Sequence, residues 1–388
     1  MTTLPPLSVY VHFPWCVRKC PYCDFNSHAL TGDLPEHQYV AQLLRDIDQE
    51  APQWSGREVQ TIFFGGGTPS LFSADAIAAT LAGIHAGFAV AADAEITLEA
   101  NPGTADAGRF AGFRAAGVNR LSIGVQSFDD AALVRLGRIH DAASARAAID
   151  FAHGAGFARV NVDLMHGLPG QTVAGALQDL EVALASGVEH LSWYQLTIEP
   201  NTAFHRAPPS LPDEDLLEEI ERRGGDRLAH AGLQRYEVSA WCRGDGIARH
   251  NVNYWRFGDY VGLGAGAHGK QTRAGHGPLE VLRYQKSRVP RDYLTDCERR
   301  HARRIPDDEL AFEFLLNALR LRSGVPDTLF TTHTGQPLAS LQPALAELRA
   351  AGLMTAERLA ATPQGWRYLD TLLQRFIAPS PAGADATS

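Results

Sequence analysis

The sequence predicts an α/β protein: a partial or closed (β/α) barrel followed by a small, mainly helical domain. Two patterns carry this. Between residues 7 and 197, short apolar, β-branched runs alternate with longer amphipathic segments, the rhythm of βαβ units around a parallel sheet. Beyond residue 305 only helical periodicity remains. At 388 residues and 45% hydrophobic, the chain can bury a full core. The expected division is a barrel with its extension over 1–300, a helical domain over 301–378 and a disordered, apolar-poor tail over 379–388.

Strands are expected at Leu7 to Phe13, Thr61 to Phe64, Glu95 to Glu99, Arg120 to Val125, Val160 to Met165 and Leu191 to Thr197. Helical patterns fill the gaps at Glu36 to Glu50, Ala74 to Ile84, Ala105 to Ala116, Ala142 to Gly154 and Val173 to Ser186. An acidic helix, Asp213 to His230, reads as a solvated outer element. In such a barrel, chemistry gathers at the C-terminal ends of the strands, so each strand exit is a candidate site.

The first exit is the most informative. Cys16, Cys20 and Cys23, three of the five cysteines, share one short loop. Thiolates at C-x3-C-x2-C spacing can converge on one [4Fe–4S] cluster and leave one iron open. Zinc would call for a fourth Cys or His at its own tight spacing, and packing cysteines have no reason to cluster in a polar loop.

This pattern resembles the radical S-adenosylmethionine (SAM) superfamily. The flanks, Tyr-Val-His-Phe-Pro-Trp-Cys and Pro-Tyr-Cys-Asp-Phe-Asn-Ser, are similar to the heme chaperone HemW group, kin of the oxygen-independent coproporphyrinogen III dehydrogenases. The resemblance implies a [4Fe–4S] cluster whose open iron takes the amine and carboxylate of SAM, and reductive cleavage of SAM to a 5′-deoxyadenosyl radical. It also implies an electron donor for the cluster.

Later exits fit the same resemblance. Phe-Phe-Gly-Gly-Gly-Thr-Pro places three glycines where backbone can approach a ligand, and the resemblance gives Gly66, Gly67 and Thr68 to SAM. Glu99 leaves the third strand, Gln126 the fourth, and Arg138 follows in Leu-Gly-Arg-Ile-His. Asp163 shares a strand face with Asn161, which reads as part of a polar interior layer. Gln195 sits beside Tyr194 at the sixth exit. The resemblance assigns Glu99, Gln126, Arg138 and Asp163 to SAM; Gln195 is a further SAM candidate by its position, and Tyr10, from the strand before the loop, completes the cofactor-binding set.

After the barrel comes His250-Asn251-Val252-Asn253-Tyr254-Trp255. An imidazole with aromatics suits an iron porphyrin, and equally a capped loop whose histidine bonds backbone. The resemblance links this His-Asn-x-x-Tyr-Trp motif to heme, making His250 the candidate heme residue. The glycines from Gly262 to Gly269 do not follow the dinucleotide spacing and imply a wall beside SAM near Ala267 and His268. Cys242 reads as a buried structural thiol. The basic run Arg299 to Arg304 reads as a solvated hinge between domains. The helices expected at Leu310 to Leu321, Leu338 to Ala351 and Pro363 to Phe376 resemble the family's winged-helix-like C-terminal domain.

A net charge of −9 gives no electrostatic reason to bind nucleic acid or an anionic membrane. With no basic or apolar leader and no long apolar run, the expectation is a cytoplasmic protein that meets membranes only through its acceptors.

Two functions compete. One is a heme chaperone that binds heme and passes it to acceptor proteins. The alternative is an oxygen-independent coproporphyrinogen III dehydrogenase. Phe25 stands where that branch has a fourth cysteine, and only nine residues precede Tyr10 where it has a long arm. Both departures, with the His-Asn-x-x-Tyr-Trp motif, favour the chaperone.

Overall fold

The computed structural model describes residues 4–274 and 279–377. The expected tail at 379–388 lies outside them. Six parallel strands form the first half: β1 Leu7–Phe13, β2 Glu58–Gly66, β3 Ala89–Ala100, β4 Arg120–Gln126, β5 Arg159–His166 and β6 His190–Gln195. Between them run α1 Glu36–Glu50, α2 Ala74–Gly87, α3 Ala107–Ala116, α4 Ala142–Gly154 and α5 Val173–Ala185, followed by α6 Glu214–His230. These match the expected elements to within a few residues, except that β2 and β3 are longer.

Local chemistry sets the helix starts. Ser73, Asp106, Asp141, Thr172 and Asp213 each accept a backbone N–H two or three residues into the helix they precede. Helix α6 is only partly a solvated face, since Ile220, Gly224 and Leu228 are buried. Gly224 has no room for a Cβ, which would lie 1.9 Å from the Trp193 ring.

Beyond α6 the chain extends the sheet. Strands β7 Gln234–Arg235 and β8 Ala240–Cys242 add antiparallel to the β6 edge. Helix α7 Arg249–Trp255 then leads to β9 Asp259–Leu263, parallel to β1, and to the antiparallel β10 His268–Arg273, β11 Glu280–Lys286 and β12 Arg300–Arg304. The full order is β12-β11-β10-β9-β1-β2-β3-β4-β5-β6-β8-β7. It has two ends, so the barrel is partial.

The basic run departs from expectation. Residues 300–304 form the edge strand β12 on the main sheet, on both sides of the expected boundary at 300/301. An edge lined with arginine resists pairing with another chain. Beyond it, α8 Leu310–Ala318 and further short helices share a second apolar core around Phe257, Phe314 and Phe330. The two later helices expected there are each broken: Pro343 separates Leu338–Leu341 from Ala344–Ala350, and Tyr368 separates Pro363–Arg367 from Leu369–Gln374. A helix at Asp327–Thr334 went unforeseen. No helix among the described residues is long and apolar enough to cross a membrane.

Candidate cofactor site

The cysteine loop leaves β1 and is closed at its base by a short parallel ladder, Trp15–Cys16 against His28–Ala29. Inside it, the Cys23 N–H donates to the Cys20 carbonyl at 3.2 Å, and Lys19 Nζ donates to the carbonyls of Phe25 and Ser27. All three thiols are free and half-buried, and all three line one cavity of about 420 Å³. Each has a neighbour: Thr68 Oγ1 donates to Cys16 Sγ at 3.4 Å, Arg138 Nη1 to Cys20 Sγ at 3.6 Å, and Ser27 Oγ lies 3.6 Å from Cys23 Sγ. Among the described residues no three His, Cys, Asp or Glu side chains close on a single ion.

The strand exits bring the other candidates to that cavity. Gly66, Gly67, Thr68, Glu99, Gln126, Arg138, Asp163 and Gln195 all line it. The glycines serve the protein's own packing. Gly66 has φ +116°, and a Cβ there would lie 2.6 Å from the His12 ring; at Gly67 it would lie 2.6 Å from the Trp15 carbonyl. The Gly66 N–H donates to Glu99 Oε2 at 3.0 Å. Burial and the nearby Asp163 charge push the Glu99 carboxyl up to about 8, against that one hydrogen bond. Such a group favours a cation beside it.

Gln126 takes φ +72°, a strained conformation for a side-chain-bearing residue, where the β4–β5 register shifts. Its Oε1 accepts from Tyr194 at 2.8 Å. Arg138 Nη2 donates to the Gly124 carbonyl at 2.7 Å, while its buried Nε has no partner among the described residues. Asp163 accepts from Ser122 and Asn161 at 3.0 and 2.7 Å, and burial raises its carboxyl. Asn161 joins Ser122, His190 and Ser192 in a polar interior layer. Tyr22 and Ser122 also line the cavity and were not foreseen. Ser122 had a signal, since it lies two residues before Gly124 and faces the same way.

Two of the expected residues lie away from the thiol cavity. Tyr10 does not line the thiol cavity. It faces an adjoining cavity of about 650 Å³, its hydroxyl 2.8 Å from His12 Nδ1. The two cavities share Asp24, Phe25, Gly66 and Glu99. Phe25, 60% exposed, stands at their junction.

His250 lines neither cavity. It is 7% exposed, with Nδ1 2.9 Å and its N–H 3.0 Å from Glu95 Oε1, and it faces an interior space of about 150 Å³. Burial would raise the Glu95 carboxyl, but the hydrogen bond and charge of His250, with Arg120, hold it down at about 2. The expected heme histidine is thus committed to a buried ionic cluster. Its physical reason is that Glu95, in the middle of β3, and Arg120, at the start of β4, are buried charges that need partners inside the barrel. Tyr254 and Trp255 of the same motif do reach the larger cavity.

Three thiols and an anion-ready arginine at the strand exits of a partial barrel define a radical SAM protein. The donor set fits its cofactors: the thiols open on one space, and among the described residues the Arg138 Nε meets no protein acceptor and Glu99 pairs with no cation. Residues 10–183 match the Radical SAM superfamily and 305–368 match the HemN C-terminal domain. The chain is 49% identical over 380 residues to the heme chaperone HemW of Escherichia coli (strain K12), covering 97% of this chain and 100% of that one. Against HemW of Haemophilus influenzae it is 45% identical, covering 97% and 99%. The chain belongs to the HemW family. A [4Fe–4S] cluster and SAM are therefore its cofactors. The E. coli coproporphyrinogen III oxidase HemN shares the fold, with TM-score 0.79 at 23% identity over 96% of this chain and 90% of that one.

Proposed function

We propose that the protein is a cytoplasmic heme chaperone: it binds heme and passes it to acceptor proteins. The observation that carries this reading is the second cavity, large enough for a cofactor-sized ligand and joined to the thiol cavity at Phe25, Gly66 and Glu99. Full-length similarity to relatives named as heme chaperones supports it.

In this reading Cys16, Cys20 and Cys23 hold three irons of the cluster. Arg138 and Gln126 take the carboxylate and hydroxyls of SAM, Glu99 faces its cationic end, and Asp163 and Gln195 complete the wall. Gly66, Gly67 and Thr68 let the β2 turn lie against the cluster loop. When bound, the cluster and SAM supply one-electron chemistry. The chain's own residues orient both and keep water from them. An electron-donor protein reaches the cluster through the exposed side of the loop. Phe25, in place of a further thiol, leaves an apolar surface between the two cavities.

The test is anaerobic reconstitution followed by parallel assays of hemin binding and coproporphyrinogen III decarboxylation. Hemin binding without decarboxylation supports the chaperone. Protoporphyrinogen formed over many turnovers would overturn it in favour of the dehydrogenase.

A further inference from the structure

Asp163 stands between two spaces. With Glu99 and Ser122 it lines both the thiol cavity and the interior chamber of about 150 Å³. With open space on either side, its carboxylate is aimed by hydrogen bonds rather than by packing. Two reach it from the barrel interior: Ser122 Oγ donates to one oxygen at 3.0 Å and Asn161 Nδ2 to the other at 2.7 Å. Asn161 Nδ2 also donates to Ser122 Oγ at 2.8 Å, so the three side chains close a ring.

The polarity of this ring fixes what stands behind it. A carboxylate only accepts, and the single Ser122 O–H goes to Asp163, so Asn161 must turn its amide nitrogen towards both and its Oδ1 away. That oxygen needs donors. The β5–β6 register sets His190 beside Asn161 and Ser192 beside Asp163, and His190 Nδ1 and Ser192 Oγ lie 2.6 and 3.1 Å from Asn161 Oδ1. Burial, with the Arg120 charge nearby, holds the buried His190 well below its ordinary range, so the ring is neutral and carries one proton. The amide oxygen places that proton on Nδ1. Nε2 is left as an acceptor, and the Tyr236 hydroxyl, 3.0 Å away, donates to it. Tyr236 accepts in turn from Asn251 Nδ2 at 3.4 Å. The donors thus run one way, from α7 through Tyr236, His190 and Asn161 to Asp163.

We propose that His190, held by Tyr236 as its Nδ1–H tautomer, is a positioning residue for SAM: through the Asn161 amide it aims the Asp163 carboxylate into the thiol cavity. The proposal rests on the reading of Asp163 as part of the SAM wall, and adds to it a residue that lines the interior chamber and not the cavity itself. With the opposite tautomer, His190 would present a lone pair to Asn161 Oδ1, the amide would turn over, and Asp163 would lose its Nδ2 donor.

The experiment is calorimetric SAM titration of the reconstituted full chain for wild type, His190→Asn and His190→Leu, with melting temperatures alongside. Asparagine sets an amide N–H near the position of Nδ1, whereas leucine offers no donor. Both leave the Tyr236 hydroxyl without its acceptor, so both are expected to lose stability alike. SAM affinity is expected to fall about tenfold in His190→Leu and to stay within about threefold of wild type in His190→Asn, a rescue that a merely structural role would not produce. Equal affinities in the two variants, whether both unchanged or both weakened, would overturn the proposal and leave the SAM wall intact. Two-bond proton–nitrogen spectra of wild type labelled at its histidine nitrogens read the tautomer even where a variant fails to fold: a proton on His190 Nδ1 supports the proposal, and one on Nε2 overturns it. Failure of wild type itself to bind SAM would overturn the SAM wall and this proposal with it.

Discussion

Asn26 ties the cysteine loop to the segments flanking the β10–β11 hairpin: its Nδ2 donates to the Arg288 carbonyl at 2.9 Å and to the Ala265 carbonyl at 3.1 Å. His28 Nε2 lies 3.3 Å from the same Arg288 carbonyl. Gly266, at φ +82°, passes so close that a Cβ would lie 2.1 Å from Asn26 Nδ2. The loop that carries the thiols thus also fixes one wall of the second cavity. Asn26→Ala removes both side-chain donors and is expected to lower stability by about 1–3 kcal/mol and to weaken hemin binding several-fold. Chemical denaturation and hemin titration read the two effects, and unchanged hemin affinity would show that the walls are independent.

Glu99 gives SAM binding a pH dependence. Its carboxyl is held up to about 8 when no cation is present. A cationic ligand favours the ionised form, so below that value binding must first remove a proton. SAM affinity is expected to rise with pH up to about 8 and then level off. Calorimetric titrations at pH 6.5 to 9 check this, and Glu99→Gln is expected to abolish the slope and weaken binding.

His250→Ala tests the interior placement. Removing the imidazole leaves Glu95 buried beside Arg120 without its nearest partner, at a cost of about 3–5 kcal/mol. The expected result is a large fall in melting temperature. A variant that melts with wild type would show that Glu95 does not depend on the imidazole.

Acid should destabilise the fold in two stages. Burial holds His166 and His333 at about 4, below their ordinary 6.5, so both fold as neutral groups. Their contribution is complete above about 6.5 and fades as pH falls towards 4, on the order of 3 kcal/mol each at the limit. Glu95, held at about 2, contributes above its ordinary 4.5 and loses that contribution as pH falls through 2. Protonation of Glu99 works in the opposite sense as pH falls through about 8, so the melting temperature is expected to rise slightly from pH 9 to 7 and to decline below about 6 as the histidines charge. A continued rise from pH 6 to 4 would contradict the buried neutral histidines.

Gly66→Ala should disturb the site from outside the ligand shell. The φ of +116° and the 2.6 Å approach of a Cβ to His12 predict a loss of about 1–3 kcal/mol. The His12 bonds to Tyr10 and Asn26 lie in the path of that Cβ, so hemin binding should weaken with stability. A neutral Gly66→Ala would show that the turn relaxes freely.

The parallel strands and the thiol loop were legible because their signals are local: apolar runs, turn glycines and thiols at fixed spacing. The antiparallel extension was not. Its strands carry buried charges whose partners are distant in sequence, Lys286 with Asp46 and Glu50 at 2.7 Å and Lys270 with Asp259 at 2.8 Å. A lysine paired across 240 residues reads locally as surface. The second cavity was hidden for the same reason, since its walls come from β1, α7 and the β10–β11 hairpin. The pairing of His250 with Glu95 was hidden likewise, since Glu95 lies in β3, 155 residues away in sequence.

The most direct test is an experimental structure of the reconstituted protein with hemin bound. The macrocycle is expected in the cavity lined by Tyr254 and Trp255, beside the thiol cavity. Hemin seated away from that cavity would contradict the chaperone reading of it.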